Sequence, residues 1–261
     1  MKAVILCGGR GTRIRDASEI LPKPMLPIGE KPILWHIMKT YSYYGIKDFV
    51  ICLGYKGWKI KEFFLFYKAM LSDITVRLGD HNSIEFHNEP EEMTWRVTLL
   101  ETGENALTGA RIYKARKHLL DDDYFCVTYG DGVADVNIGA LIRFHKESNT
   151  IGTVTGVRPL GRFGEIELEG HIVTEFNEKP NVSSGRINGG YMVFSSKKVW
   201  DYFRKGDDLV LEMDTLPRMA KDKQLSVYEH DGYWQCMDTV REYDILNKLL
   251  EEGRAPWTVW E

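Results

Sequence analysis

The chain has 261 residues, of which 43% are hydrophobic and 28% are charged, and its net charge is −4. This composition is that of a folded globular protein, and the acidic balance argues against a general nucleic-acid-binding protein, which usually carries a basic excess. No apolar run is long enough for a membrane helix, and the N-terminus leads into a strand without a signal-peptide pattern. We therefore expect a cytoplasmic protein with neither a nucleic acid nor a membrane as partner.

The first half of the chain alternates predicted strands and helices. Apolar runs predict strands at 2–7, 46–53 and 123–129, and helical periodicity predicts helices at 33–44, 57–68, 108–119 and 137–147. Alternation of this kind predicts an α/β fold with a doubly wound, mostly parallel (mixed) sheet and helices on both faces.

The second half is richer in short strands. Strands are predicted at 151–157, 163–168, 171–176, 187–194 and 224–229, and helices near 196–203, 211–221 and 239–251. Because no linker separates the halves, we expect a single domain over 1–261. Residues 1–135 would bind one substrate. Residues 136–261 would form a small β-rich part of the domain that binds the second substrate, the acceptor.

The cysteines are too scattered to form a metal knot or a redox motif. No C-x-x-C pair exists among Cys7, Cys52, Cys126 and Cys236. This spacing favours buried thiols in a reducing compartment.

A glycine-rich loop, Gly8-Gly9-Arg10-Gly11-Thr12-Arg13, directly follows the first strand. Glycines at that position let backbone N–H groups approach an anion, and an arginine adds charge-assisted contacts to phosphates. The loop does not fit a dinucleotide-binding fingerprint, because Ile14 stands where the third glycine belongs, and no P-loop Gly-Lys-Ser/Thr occurs. A nicotinamide-dependent oxidoreductase is therefore disfavoured, while a tight turn without a ligand stays open.

Two prolines flank Lys23 nine residues further on. They restrict the backbone on both sides, so we expect the lysine to be held in an extended segment beside the phosphate loop. A fixed ammonium there suits a developing negative charge on a phosphoryl group. The alternative is an ordinary solvated lysine.

Asp131 ends a buried strand between two glycines, on the sheet edge predicted for the phosphate loop. Carboxylates there are typical ligands of Mg²⁺. Asp238 precedes the last predicted helix, where an N-cap is the alternative interpretation. Asp135 is a weaker candidate ligand that we interpret as a loop aspartate.

Gly-Gly-x-Gly-Thr-Arg, followed after eight residues by Pro-Lys-Pro, resembles the sugar-nucleotide pyrophosphorylase family of nucleotidyltransferases. The segments at 31–38, 54–57, 102–111, 129–135 and 255–261 are similar to its cytidylyltransferase branch. Departures are mild: Cys7 stands where alanine is common, Arg10 where an apolar residue is common and Ala110 where glycine is common.

The resemblance implies a Rossmann-like nucleotidyltransferase fold and a reaction. Residues 1–135 would form the nucleotide-binding half, and residues 136–261 would form the sugar-phosphate-binding half with C-terminal oligomerisation elements. The expected reaction transfers CMP from CTP to α-D-glucose 1-phosphate with Mg²⁺, giving CDP-glucose and pyrophosphate for deoxysugar or polysaccharide precursors. UTP or dTTP as the nucleotide, and a non-catalytic sugar-nucleotide sensor, are the alternatives. The family also implies a homo-oligomer, and seven tryptophans with the aromatic tail at 255–260 would suit subunit contacts.

The same resemblance implies roles for individual residues. Three would be catalytic, namely Arg13, Lys23 and Asp131. The nucleotide would contact Leu6, Gly8, Gly9, Gly11, Thr12, Arg13, Lys23, Thr102, Gly103, Thr108, Arg111 and Gly130. The metal ligands would be Asp131 and Asp238, and the sugar phosphate would contact Glu178, Lys179, Asn188, Gly189 and Gly190.

Simpler interpretations stay open for several of these residues. Arg111 could be a solvated helix residue, and 178–179 could be a charged surface turn. The glycines at 189–190 could mark a β-bulge.

Overall fold

A seven-stranded mixed sheet forms the centre of the computed structural model, which describes residues 1–11, 20–79, 83–158, 165–169, 172–177 and 185–260. In chain order the strands are β1 (Ala3–Cys7), β2 (Pro27–Ile28), β3 (Lys31–Pro32), β4 (Asp48–Leu53), β5 (Ile74–Arg77), β6 (Ser83–Phe86), β7 (Arg96–Glu101), β8 (Tyr124–Tyr129), β9 (Gly132–Ala134), β10 (Gly152–Val157), β11 (Glu165–Glu169), β12 (Ile172–Asn177), β13 (Ile187–Ser195), β14 (Leu225–His230) and β15 (Trp234–Cys236). The α-helices are α1 (Ile33–Tyr43), α2 (Gly57–Leu65), α3 (Tyr67–Leu71), α4 (Thr108–Ala115), α5 (Ile138–Glu147), α6 (Leu216–Lys221) and α7 (Val240–Glu251).

The strand order of the large sheet is β14-β10-β13-β8-β1-β4-β7. Strand β1 pairs parallel with β4 and β8, β4 with β7 and β10 with β14, whereas β13 runs antiparallel to both of its neighbours. The predicted mostly parallel, mixed sheet is confirmed. Because β1 is central and parallel to β4 and β8, the loops after all three strands lie at one sheet edge.

Both faces of this sheet are covered, as predicted. Side chains of β1 alternate between two cores: Ala3, Ile5 and Cys7 pack with α1 and α7, and Val4 and Leu6 pack with α4 and α6. Alternation of side chains along a strand requires this division when both faces are buried.

Three predicted helices differ from those in the structure. The helix expected at 57–68 is divided at Phe66, and only a 3-10 turn, Val199–Tyr202, forms within 196–203. The helix expected at 211–221 begins as a π-helical turn, Leu211–Thr215. Pro217 lacks the N–H that an α-helical bond back to residue 213 would need, so the first turn is wider.

The stretch between α3 and α4 holds structure that the sequence pattern did not resolve. It contains the edge strand β7 and the hairpin β5–β6, whose apolar side chains are largely exposed. Within the part of the chain that the structure describes, no helix has both the length and the apolar character needed to cross a membrane.

The aromatic tail packs inside its own chain. The indole of Trp257 is fully buried, stacks on Tyr233 at a centroid distance of 5.7 Å and donates to His36 Nδ1 at 3.4 Å. Trp260 packs edge-to-face on Trp35. The expectation that this tail supplies subunit contacts is therefore wrong for Trp257, because the buried ring stabilises the monomer core.

Candidate active site

A cavity of about 300 Å³ opens at the carboxyl edge of the sheet, where β1 and β8 end side by side. Its walls come from the loop after β1, the turn at Lys23, the start of α4 and the end of β8, together with Asp238. This position is where an open α/β sheet binds its ligands.

Gly8 of the phosphate loop and Gly54 after β4 are required because the Arg111 side chain packs against both of them. A Cβ atom on Gly8 would lie 2.0 Å from Cζ of Arg111, and one on Gly54 would lie 2.6 Å from its Nη1. Gly11 has a φ of 62°, a left-handed conformation that glycine adopts without strain. Gly9 instead faces open space, so its backbone can be approached by a ligand.

Arg111 connects the separate loops around the cavity. Its side chain donates to the carbonyls of Gly8 at 3.0 Å, Leu53 at 2.8 Å and Gly103 at 2.9 Å, and to Oγ1 of Thr102 at 2.6 Å. The residue is 4% exposed, and burial lowers its pKa. The solvated interpretation of Arg111 is therefore wrong, because its guanidinium holds the ends of β1 and β4 together.

Lys23 lies between two carboxylates at the cavity floor. Its Nζ donates to Asp131 Oδ2 at 2.7 Å and to Asp238 Oδ1 at 2.6 Å, and the residue is only 8% exposed. Burial opposes the charge, but attraction and hydrogen bonds to Asp131 and Asp238 together raise the pKa of Lys23. The ammonium is thus charged and, unlike that of a solvated lysine, held in place.

The backbone at Lys23 differs from the expected extended segment. Pro22 is extended, but Lys23–Met25 forms a 3-10 turn in which Leu26 N donates to the Lys23 carbonyl at 3.1 Å. Pro24 fits because a backbone N–H in the first turn of a helix has no helical partner, so the N–H that proline lacks is not missed. The expectation was wrong about conformation, although the prolines do fix the lysine beside the loop.

Asp238 is not the N-cap of α7. Thr239 is, since its Oγ1 accepts from Glu242 N, while the Glu242 carboxylate accepts from the backbone N–H of Thr239 at 2.9 Å and of Asp238 at 2.6 Å. This capping box satisfies the helix terminus without the Asp238 carboxylate, which contacts Lys23 instead.

The carboxylates of Asp131 and Asp238 fit a divalent cation. Both carboxylates contact the same nitrogen, Lys23 Nζ, so their oxygens lie within reach of a single ion. Hard oxygen donors of this kind suit Mg²⁺. Ligand atoms of Cys236, Asp238 and Glu242 also lie within 4.8 Å of one another. That second group is less suited, because Glu242 is engaged in the helix cap.

Comparison with known proteins shows to which family a chain with this site belongs. Residues 2–252 match the sequence family described as Nucleotidyl transferase. The chain belongs to this family. It is 45% identical over 261 residues to the glucose-1-phosphate cytidylyltransferase of Salmonella typhi, with 100% of both chains covered. It is 29% identical over 253 residues to the mannose-1-phosphate guanyltransferase of Gibberella zeae, covering 95% of this chain and 63% of that one.

Among solved structures, HddC from Yersinia pseudotuberculosis superposes with a TM-score of 0.66 at 23% identity, covering 95% of this chain and 99% of that one. This likeness supports the nucleotidyltransferase fold. The resemblance expected from the phosphate loop and the Pro-Lys-Pro segment is confirmed.

Most residues predicted for the nucleotide and the metal converge on the cavity of this nucleotidyl transferase. Those that line it are Leu6, Gly8, Gly9, Gly11, Lys23, Thr108, Arg111, Gly130, Asp131 and Asp238. Thr102 and Gly103 lie behind Arg111 and accept its hydrogen bonds. Thr12, Arg13, Glu178 and Lys179 lie outside the described residues.

The glycines at 189–190 do mark an irregularity in the sheet. The register between β10 and β13 shifts there, and Gly190 has a φ of 81°. A Cβ on Gly190 would lie 2.4 Å from Cδ2 of Tyr129, so the close approach is to that ring. A structural reason for both glycines therefore exists, and the sugar-phosphate contacts of Asn188, Gly189 and Gly190 stay a prediction.

Tyr129 and Glu212 belong to the site region but were not predicted. The Tyr129 ring lines the cavity, and its hydroxyl donates to Oε1 of Glu212. Burial, with the charge of Glu212, raises the pKa of Tyr129 well above its usual value, so the phenol remains a donor. Tyr129 immediately precedes the Gly130-Asp131 pair and could have been found by position, whereas Glu212 has no sequence signal.

Asp135 contacts His230 rather than the proposed metal ligands. His230 Nε2 lies 2.9 Å from Asp135 Oδ1. Burial would lower the pKa of His230, but the hydrogen bonds to Asp135 and to the Tyr233 carbonyl raise it. The loop-aspartate interpretation of Asp135 fits this pairing.

Proposed function

We propose that this protein transfers CMP from CTP to α-D-glucose 1-phosphate, releasing CDP-glucose and pyrophosphate. The observation that carries the proposal is the buried Lys23 ammonium, held between two carboxylates beside the glycine loop. Full-length identity of 45% to a glucose-1-phosphate cytidylyltransferase supports the choice of both substrates.

The reaction is an in-line displacement. An oxygen of the sugar phosphate attacks the α-phosphorus of CTP, a new P–O bond forms, and the bond to the β-phosphate oxygen breaks with pyrophosphate carrying the electron pair. The nucleophile is already an anion, so no general base is needed. Catalysis then depends on positioning and on stabilising negative charge.

The residues of this chain supply those two effects. Backbone N–H groups at Gly8, Gly9 and Gly11 would cradle the phosphates, and Lys23 would stabilise charge on the reacting group and the pyrophosphate. Arg111 orients the loop that carries Thr102 and Gly103, which we propose to read the base.

Enzymes of this kind generally use a divalent metal, and we propose Mg²⁺, held by Asp131 and Asp238. When bound, the ion would neutralise phosphate charge. Arg13 is proposed to contact the triphosphate, Lys179 the acceptor phosphate and Glu178 a sugar hydroxyl.

The proposal includes a homo-oligomer in the cytoplasm. Exposed large apolar side chains are concentrated between residues 58 and 93, including Trp58, Phe66, Leu78 and Ile84, and this surface is a better candidate for subunit contacts than the tail. All four cysteines are free thiols, in keeping with a reducing compartment. Sedimentation of the purified protein would give the number of subunits.

The decisive experiment measures pyrophosphate release with glucose 1-phosphate and CTP, UTP or dTTP, each with and without Mg²⁺. We expect Mg²⁺-dependent release that is fastest with CTP. Preference for UTP or dTTP would reject the nucleotide assignment. Binding of CDP-glucose without release from any triphosphate would favour a non-catalytic sensor.

A further inference from the structure

Glu212 joins the two sides of the cavity from outside its lining. Its carboxylate lies on the π-helical turn Leu211–Thr215 and accepts two hydroxyl hydrogen bonds. Thr108 Oγ1 donates to Oε2 at 2.7 Å, and the Tyr129 hydroxyl donates to Oε1. Both hydroxyl-bearing residues line the cavity.

Thr108 and Tyr129 each connect Glu212 to a different half of the site. Thr108 begins α4, whose next turn carries Arg111, and its Oγ1 also accepts from Leu211 N at 2.9 Å. The Tyr129 hydroxyl accepts from Asn188 Nδ2 at 3.4 Å, and Asn188 Oδ1 accepts from Gly190 N at 3.0 Å. A connected chain of hydrogen bonds therefore runs from α4 to β13.

The charge of Glu212 is unexpected beside a cavity for anionic substrates. A carboxylate there repels phosphates, so its electrostatic effect alone would weaken binding. What a carboxylate offers is two acceptor oxygens for two donor hydroxyls, a combination that glutamine cannot reproduce because half of its amide is a donor. Bonds from hydroxyls to an ionised acceptor are also stronger than neutral ones.

We infer that Glu212 is a positioning residue that couples the nucleotide and acceptor sides of the site by fixing Thr108 and Tyr129 together. The inference rests on the proposed function for the identity of the two substrates. The turn that carries Glu212 lies outside the cavity lining but aligns both sides of the site. Loss of this one carboxylate therefore weakens the binding of both substrates.

The kinetic test compares KM and kcat for both substrates in Glu212→Ala and Glu212→Gln. Glu212 is exposed, so water weakens its hydrogen bonds, and we expect Glu212→Ala to raise both KM values by roughly threefold to tenfold. Glu212→Gln should also raise them, although it removes a repulsive charge. A lower KM in Glu212→Gln would overturn the inference.

Two substitutions on the same turn serve as controls. Met213 is 77% exposed, so Met213→Ala should leave both KM values unchanged. Asp214 Oδ2 accepts from Val210 N at 2.8 Å, so Asp214→Ala loosens the turn without removing a bond to the cavity lining. If Asp214→Ala and Glu212→Ala raised both KM values equally, Glu212 would have only a structural role, and the inference would be wrong.

A second measurement does not depend on catalysis. Thr108→Val and Tyr129→Phe are made singly and together, with Glu212 intact and in Glu212→Ala, and urea unfolding is measured. The two substitutions should be non-additive by about fivefold in the unfolding constant when Glu212 is present, and additive when it is absent. If the two substitutions were equally non-additive with and without Glu212, the inferred link between Thr108 and Tyr129 through Glu212 would be wrong. Absence of turnover in the unmodified protein would instead refute the proposed function.

Discussion

Replacing Lys23 by methionine should have opposite effects on catalysis and on metal binding. Turnover should fall by about 10²–10³-fold, or about 3–4 kcal/mol, as when a positioned group that stabilises transition-state charge is lost. The same change leaves Asp131 and Asp238 without the ammonium that contacts both. At about 4 Å and an effective dielectric of about 20, the repulsion between an ammonium and a divalent ion amounts to several kcal/mol. Mg²⁺ should therefore bind the substrate-free variant at least about tenfold more tightly.

Lys39 provides a matched control for this experiment. Its Nζ also contacts two carboxylates, Glu91 at 2.6 Å and Glu92 at 3.2 Å, and its side chain is 11% exposed against 10% for Lys23. Pyrophosphate release gives turnover, and titration calorimetry gives Mg²⁺ affinity, for both methionine variants. The reasoning fails if Lys23→Met keeps turnover within about threefold of the unmodified protein, or if Lys39→Met loses as much.

Two further substitutions test the packing around the site, and a third tests a buried histidine on α5 that packs at the start of β8. The lysine in Arg111→Lys cannot reach all the acceptors of the guanidinium, so the free energy of unfolding should fall by about 2 kcal/mol in urea titrations, and nucleotide affinity should fall with it. Gly190→Ala should lower the free energy of unfolding by at least about 1 kcal/mol more than Gly45→Ala. The two glycines have nearly equal positive φ, but only Gly190 faces the Tyr129 ring. Equal losses of unfolding free energy in the two variants would contradict this prediction. Burial lowers the pKa of His145 to about 4 from 6.5, so the unfolded state takes up its proton first, and unfolding free energy should fall by about 2 kcal/mol between pH 7.5 and 5. That part of the pH dependence should be missing in His145→Gln, as measured by urea unfolding at both pH values.

The sequence predicted the sheet and the position of Asp131 because both depend on local patterns. Apolar runs fixed the central strands, and parallel strands place the residues that follow them at one edge, which brought Asp131 close to the phosphate loop. The prediction of Lys23 and Asp238 as site residues depended on the family resemblance, because neither residue lies in a local pattern that excludes an ordinary surface role. For Asp238, the Thr239-x-x-Glu242 spacing of a capping box was a local signal that could have rejected the N-cap interpretation.

Residues that act through long-range contacts could not be predicted in this way. Glu212 is 104 residues from Thr108 and 83 from Tyr129 in sequence, and only the folded chain brings them together. Arg111 was predicted to meet the nucleotide, yet the five acceptors of its guanidinium are set by loops after different strands. Trp257 was misassigned because aromatic residues favour a core and a subunit interface equally well.

The two departures from the family pattern at the phosphate loop have different physical consequences. The Cys7 side chain is buried, and its Sγ would lie 2.7 Å from a Cβ on Gly130, so the larger residue is accommodated by the glycine that follows the neighbouring strand β8. Arg10 instead lies at the surface and pairs with Glu104 at 3.0 Å, with both side chains more than half exposed. An exposed pair of this kind contributes little to stability. Arg10 can therefore exchange its partner for a phosphate at small cost, whereas Gly130 cannot gain a side chain while Cys7 occupies the neighbouring position.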